Sequence, residues 1–574
     1  MNTDKAKPHS RPLRRGKACL NCRHLKIKCD GVRPLCGPCA RVPKEDPCEF
    51  TDITSRTKEL EDTVYRLQSR INELESMPSS STSYSQRFSL SGSPPPQSSA
   101  GSSPFSGSSV GSRSSPHSSS ENSFLGIQEP PLVMIQMLLD YFLPHATQFG
   151  FFLHIDRFRN SAMLSLPFGD ARRPSPALLC VVYLWGVYLS HSQPLLASEP
   201  AFLKRAQQHI STEISASNDA KHILHAIQAQ VLLSTYLFRN KRFLEAEFHA
   251  NGAATLVLGY QLHKIRSPRP GSPNLLGVPV LSEVYPGPPQ DVVEEGEQIR
   301  GFWAVTCLQS NLNVALSSAS STFSILESPG TEIDTPWPLE IADYEAGRLP
   351  SGQQSQETIR AFLTEDPPKT SPPCMLYAKA SVLLHRASRL GSKWSPNLPP
   401  QEFSSFMNSY TWLDQRITKF WETLPPLYDF YNDAAAARTL VVAHALTAAA
   451  AIKLHRNPSA ADPEAQKKCV FAASAIIAAL ADTNIADFTT AHPIVGSLCM
   501  MGCRILMDEI RKAHMFRASW AQSLGLVLPP PSPVEAALTA DLQNGITTMT
   551  MYAVGSPLIK YQLAKLQQQY EALY

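Results

Sequence analysis

Six cysteines near the start of the chain constrain its fold more than any other feature. They follow the spacing C-x2-C-x6-C-x6-C-x2-C-x8-C and are Cys19, Cys22, Cys29, Cys36, Cys39 and Cys48. Structural zinc takes four thiolate or imidazole ligands in a tetrahedron, so two ions need eight bonds. Six thiolates supply eight bonds when two of the sulfurs bridge. The spacing therefore predicts a cluster of two Zn2+ ions per chain, formed by two similar halves.

Three other arrangements fit the same six cysteines. They are three disulfides, unrelated reduced thiols that happen to lie close together, or one four-ligand zinc site with two spare thiols. The first twenty residues contain charges and prolines but no apolar segment, so they predict no secretory signal peptide and favour a reducing compartment. A module this small has almost no core, so we expect bound metal to supply most of its folding free energy.

The positive charge of the chain is concentrated in this module. Residues 1–50 contain twelve Lys or Arg and five Asp or Glu, which gives +7, whereas the whole chain carries only +3. A compact cationic end on a near-neutral chain is typical of a module that binds a polyanion, and double-stranded DNA is the polyanion we expect.

The cysteine module is similar to a known family. Residues 18–48, ACLNCRHLKIKCDGVRPLCGPCARVPKEDPC, resemble the DNA-binding domain of the fungal zinc binuclear cluster transcription factors. The resemblance implies that Cys19 and Cys36 bridge the two zinc ions and that Pro34 shapes the loop between the halves. It also implies that the end of the first short helix enters the major groove and that each cluster recognises a CGG-type triplet.

Three basic residues in this module are candidate DNA-binding residues. Lys26 lies where the family places its base-contacting lysine, and lysine can donate to guanine O6 and N7. Arg23 and Lys28 are predicted phosphate contacts. Leu25 occupies a position where the family usually has another basic residue. The basic N-terminal arm, residues 1–18, is predicted to direct the chain to the nucleus or to contact the DNA backbone.

A heptad pattern over residues 53–77 predicts a short parallel coiled coil and hence a homodimer. β-Branched residues at a positions and leucines at d positions favour parallel dimers. These dimerisation residues are Leu60, Val64, Leu67, Ile71 and Leu74. The alternative is a single amphipathic helix packed on the rest of the chain. Residues 78–123 follow, with Ser at 22 of 46 positions, and are predicted to be a disordered Ser/Pro-rich linker.

Residues 124–574 predict one large all-helical domain, so the fold class is all-α. This region contains a helix-period face formed by Ile223, Leu224, Ile227 and Val231, and an Ala-rich run over residues 440–452. Proline-rich breaks at residues 267–289, 395–400 and 528–533 separate the helical blocks. Residues 227–263 and 294–338 resemble the fungal-specific transcription factor domain, which implies a regulatory role, with a small-molecule inducer as a possible partner. Arg300 and Trp303 in the second stretch are expected to act in packing and salt bridging.

The sequence thus predicts a nuclear, sequence-specific DNA-binding transcription factor that regulates RNA polymerase II transcription and contacts the transcription machinery or co-regulators. Whether it activates or represses stays open. We expect no enzymatic activity, because a thiolate-saturated cluster leaves no open metal position. The alternative is a zinc-module interaction protein that acts as a co-regulator without base readout. No membrane partner is expected: the apolar run 176–190 is shorter than the roughly 20 residues that span a bilayer and is interpreted as a buried helix.

Overall fold

The structure is a computed structural model of the chain. It describes residues 18–19, 22, 26–41 and 48, and residues 129–572 with gaps at 217–219, 269–288, 317–331, 351, 366–369 and 483–489. The chain divides into two compact units, residues 1–115 and 116–574. We call the described parts the cysteine unit and the helical unit.

The described residues form helices and loops and contain no strand, so the predicted all-α class is confirmed for them. The helices are α1 Gly37–Arg41, α2 Leu132–Phe142, α3 Ile155–Ala162, α4 Pro176–Leu189, α5 Gln193–Leu196, α6 Glu199–Ala216, α7 Ala220–Arg239, α8 Phe243–Gly259, α9 Val292–Leu316, α10 Ile341–Glu345, α11 Thr358–Thr364, α12 Pro373–Ser392, α13 Pro400–Thr423, α14 Ala434–His455, α15 Pro463–Leu480, α16 Val495–Leu524, α17 Pro533–Ala553 and α18 Pro557–Glu571.

Several helices begin at a Ser-Pro or Asp-Pro pair. The Ser or Asp side chain accepts a hydrogen bond from a backbone N–H in the first turn, and proline fits the first helical position because its missing N–H would have no partner there. The capping residues are Ser175, Asp462, Ser532 and Ser556. The breaks predicted near residues 395–400 and 528–533 accordingly separate α12 from α13 and α16 from α17.

Two apolar clusters form the core of the helical unit. The first is built mainly from α2 to α9, and the second from α12 to α18. Helix α4 lies in the first cluster with nearly all of its residues buried, so the interpretation of this run as a buried helix is confirmed. The face predicted on α7, which includes Ile227 and Val231, is also buried.

The Ala-rich run predicted as a helix forms α14 in the second cluster. Helix α12 packs closely against it at Gly391, where an added Cβ would lie 2.2 Å from the carbonyl oxygen of Lys453 in α14. Among the described residues, α14 alone is long and apolar enough to cross a membrane, and 72% of the relevant window is buried inside the unit. A core helix has the same length and composition, so the absence of a membrane partner stays a prediction.

An aromatic row joins the two clusters. Trp303 stacks on Trp337 with ring centroids 4.2 Å apart, and Phe362 and Phe420 continue the row. The Trp303 indole N–H donates to the carbonyl oxygen of Pro336 at 2.6 Å. Arg300 pairs with Glu340 at 3.4 Å. The packing and salt-bridge roles expected for Arg300 and Trp303 are confirmed.

Acid should destabilise the helical unit through buried histidines such as His249. Burial lowers the pKa of His249 to about 4, and its Nδ1 lies 2.7 Å from Gln230 Oε1. In the unfolded chain the pKa is about 6.5, so the unfolded state binds the proton more readily below that pH. The stability that neutral His249 contributes is therefore fully present above about pH 6.5 and is lost as the pH falls toward 4. Between pH 7 and 5 we expect His249→Gln to lose less unfolding free energy than wild type, by on the order of 1–2 kcal/mol.

Urea unfolding of the full chain, followed by circular dichroism at the two pH values, measures this difference. The exposed His191 offers the matched control, His191→Gln, which should lose as much stability as wild type. Equal losses for wild type and His249→Gln would contradict the prediction.

Candidate zinc centre

Four sulfur atoms of the cysteine unit lie at the separations that a tetrahedral metal site requires. The Cys19 Sγ is 3.6 Å from Cys36 Sγ and 3.8 Å from Cys39 Sγ. The Cys22 Sγ is 3.6 Å from Cys36 Sγ and 4.0 Å from Cys39 Sγ. A Zn–S bond of about 2.3 Å gives tetrahedral S···S edges of about 3.8 Å. The four sulfur atoms therefore lie close enough to one another to be zinc ligands.

The remaining two cysteines lie beside this group. Cys29 and Cys36 form a second set, together with Asp30, whose ligand atoms are within 4.8 Å of one another. The Cys48 Sγ accepts a hydrogen bond from the Cys36 backbone N–H at 3.5 Å. Cys36 is thus the shared member of both sets. All twelve cysteines lie within the described residues and are free thiols, so the structure does not contain the three disulfides of the alternative.

The crowded thiols need cations. Burial, and after it contact with the neighbouring Cys19, raise the pKa of the Cys22 thiol to about 12. Several thiolates can occupy this space only when positive ions neutralise them, since metal binding deprotonates a coordinating thiol. The donor set is soft sulfur, which Zn2+ accepts readily.

Asp30 links the first half of the unit to α1. Its carboxylate accepts hydrogen bonds from the Gly37 N–H at 2.9 and 3.0 Å, at the N-terminus of the helix that contains Cys39. A Cβ at residue 37 would lie 2.3 Å from Asp30 Oδ2, so a larger residue there would displace this carboxylate. The cysteine spacing did not predict this capping role of Asp30.

Two of the three predicted DNA-binding residues are described, and both are exposed. Lys26 has a left-handed backbone with φ of 52°, and the Ile27 N–H donates to the Cys22 carbonyl oxygen at 3.0 Å. This is the bond pattern that ends a helical turn in a Schellman motif. Lys26 therefore lies at the end of a turn that begins next to the sulfur group, and Lys28 follows two residues later. Arg23 lies outside the described residues.

The chain matches a known domain family over this unit. The fungal Zn(2)-Cys(6) binuclear cluster domain matches residues 17–57. The N-terminal unit of the chain contains a fungal Zn(2)-Cys(6) binuclear cluster domain. The cluster domain is a zinc-binding domain, which confirms the prediction that this module binds zinc. The number of two ions per chain stays a prediction.

The chain is also similar to a curated protein, the transcriptional activator protein acu-15 of Neurospora crassa. The two are 41% identical over 73 residues, which are 12% of this chain and 8% of the activator. The chain thus matches less than a tenth of the length of this relative. No solved structure is significantly similar to the chain.

Several predicted features lie outside the described residues. They are the N-terminal arm before residue 18, the heptad segment 53–77 with Leu60, Val64, Leu67, Ile71 and Leu74, and the linker 78–123. The dimer and the disorder of the linker stay predictions. The regulatory domain that the second resemblance implies is likewise a prediction, because the matched family covers the cluster domain alone.

Proposed function

We propose that the protein is a nuclear, sequence-specific DNA-binding transcription factor that regulates RNA polymerase II genes. The observation that carries the proposal is the buried group of cysteine sulfurs at tetrahedral spacing, with exposed Lys26 at the end of the adjoining turn. The match to the cluster domain family and the similarity to a transcriptional activator support it. The proposal includes no catalytic activity.

Two zinc ions bind per chain in the proposed centre, with all six cysteines as ligands. Cys36 is a bridging ligand, which is supported by its membership of both sulfur sets. Cys19 is the other bridge, as the family resemblance implies, and its Sγ lies 3.6 Å from that of Cys36. Bound zinc holds the turn that ends at Lys26 in place, and the domain's remaining positive charge attracts the DNA.

On DNA, Lys26 contacts guanine in the major groove of a CGG-type triplet, whereas Arg23 and Lys28 contact phosphates. A homodimer formed through the heptad segment places two such domains on paired triplets. The helical unit regulates the bound factor and contacts the transcription machinery or co-regulators. Nuclear localisation follows from this function.

Substitution of Lys26 and of Lys28 should have different effects on DNA binding. We expect Lys26→Ala to lower the affinity for a paired CGG duplex by about 10-fold or more and to relax the preference for guanine, because a good base contact contributes about 1–3 kcal/mol. Lys28→Ala should weaken binding to all sequences. It should also reduce the slope of log affinity against log salt concentration by the amount expected for about one phosphate contact.

The measurement is selection of random duplexes by the zinc-loaded full chain, followed by titration of the selected duplex at several salt concentrations. Recovery of paired CGG triplets from wild type supports direct readout by a dimer. If a protein that holds zinc enriches no sequence, direct readout is wrong and the co-regulator function without base contacts takes its place.

A further inference from the structure

The helical unit contains a partly open cavity of about 560 Å3, within the range of small-molecule sites. Its walls come from both apolar clusters and are largely aromatic and aliphatic, with Phe149, Phe152, Trp303 and Leu308 among them. Such a cavity, apolar with a few placed polar groups, is typical of a site for a drug-sized ligand.

One polar group in the wall has a proton to donate. The Tyr377 hydroxyl oxygen accepts a hydrogen bond from Asn311 Nδ2 at 2.8 Å, and His492 Nε2 lies 3.4 Å from it. His492 Nδ1 accepts from the Ile494 N–H at 3.3 Å, so the ring carries its proton on Nε2 and that N–H also points to the Tyr377 oxygen. The Tyr377 hydroxyl thus accepts from two donors.

Because both neighbours donate, the Tyr377 proton needs an acceptor elsewhere. With His492 in this tautomer, no hydrogen bond among the described residues has the Tyr377 hydroxyl as its donor, and the buried Asn311 Oδ1 beside it has no partner there either. Tyr377, Asn311 and His492 all line the cavity, and Tyr377 and His492 are only partly buried. A buried hydroxyl without an acceptor is costly, so an acceptor atom on a bound molecule would be favoured here.

The charges of the wall select against an anion. Arg300 and Arg438 line the cavity together with three carboxylates, Glu340, Asp433 and Asp482, so negative charge is in excess. Burial lowers the pKa of His492 to about 4, so this ring is neutral at physiological pH. An uncharged acceptor such as a carbonyl oxygen fits this wall better than a carboxylate does.

We propose that the cavity is a binding site for an uncharged, largely apolar or aromatic molecule whose carbonyl oxygen accepts the Tyr377 hydrogen bond. Only the regulatory role of this site rests on the proposed function, whereas ligand binding itself does not. Binding is measured without DNA, so a failure of DNA recognition and a failure of ligand binding are separate results.

The test is equilibrium dialysis of the full chain against two probes of similar shape, 2-acetylnaphthalene and 2-isopropenylnaphthalene. The first has a carbonyl where the second has a carbon–carbon double bond. We expect saturable binding of about one molecule of 2-acetylnaphthalene per chain. Tyr377→Phe, which removes only the hydroxyl, should weaken that binding by about fivefold and leave the binding of 2-isopropenylnaphthalene unchanged.

Two further variants locate the site. Ala304→Trp places a large ring in the cavity wall and should reduce the binding of both probes by about 10-fold or more, with an unchanged circular dichroism spectrum as evidence of folding. Tyr410→Phe is the matched control, because Tyr410 is also buried but bonds to His455 outside the cavity wall, and it should change neither affinity. Absence of saturable binding, equal effects of Tyr377→Phe on both probes, or unchanged binding in a folded Ala304→Trp protein would overturn the proposal.

Discussion

Replacement of Cys36 by alanine is expected to abolish zinc binding at both sites and, with it, specific DNA binding. Cys36 belongs to both sets of clustered ligand atoms, so its loss removes a ligand from each proposed ion. Structural zinc contributes about 10–16 kcal/mol to the folding of small zinc domains. Specific DNA affinity exceeds non-specific affinity by roughly 1,000-fold or more, and we expect a loss of that size.

Zinc content per chain and the affinity for the selected duplex are the two measurements. Cys307→Ala provides the matched control, since Cys307 is a buried free thiol of the helical unit. It should retain two zinc ions and DNA binding, and a strong chelator should reproduce the Cys36→Ala result in wild type. A Cys36→Ala protein that kept two ions would contradict the bridging role, and a zinc-free protein that still bound the duplex specifically would contradict the proposed function.

The second large effect is expected from Arg239→Met in the helical unit. Arg239 is 1% exposed at the end of α7, where it donates to the carbonyl oxygens of Ala491 at 2.9 Å and Gly555 at 2.6 Å. It also donates to the Tyr188 hydroxyl at 3.1 Å. Methionine fills similar space but leaves buried carbonyl oxygens without this donor, at about 1–3 kcal/mol each. We expect the free energy of unfolding to fall by about 3 kcal/mol.

Urea unfolding of the full chain at constant zinc concentration gives this difference. Arg242→Met is the matched control, because the Arg242 side chain is 38% exposed and pairs with Glu245 on the surface. Surface pairs contribute little, so the control should lose less than about 1 kcal/mol. Equal losses in the two variants would show that the buried contacts of Arg239 do not stabilise the fold.

Much of the fold could be predicted from local sequence because the signals are periodic. Three buried surfaces could be predicted because the pattern of each lies within one helix. They are the apolar run of α4, the face of α7 with Ile227 and Val231, and the Ala-rich α14. Proline pairs mark helix starts for the same reason: their effect is confined to one turn. The cysteine spacing likewise predicted a zinc domain, since ligand number and spacing restrict the metal chemistry.

The sites inside the helical unit could not be predicted in this way. Tyr377 and His492 are 115 residues apart in the chain, and Arg239 reaches Gly555 across 316 residues. No local pattern encodes such pairs, because they depend on how helices pack after they form. The contacts of the Tyr377 hydroxyl with Asn311 and His492 exist only because the tertiary structure brings these residues together.

By itself, the sequence determined the zinc-binding cluster domain and the all-helical class, since thiol spacing and helical periodicity act over short stretches of chain. The tertiary structure alone decided that Asp30 caps α1 and that a cavity forms between the two apolar clusters. The cavity depends on distances between residues far apart in the chain, and packing of the core sets those distances.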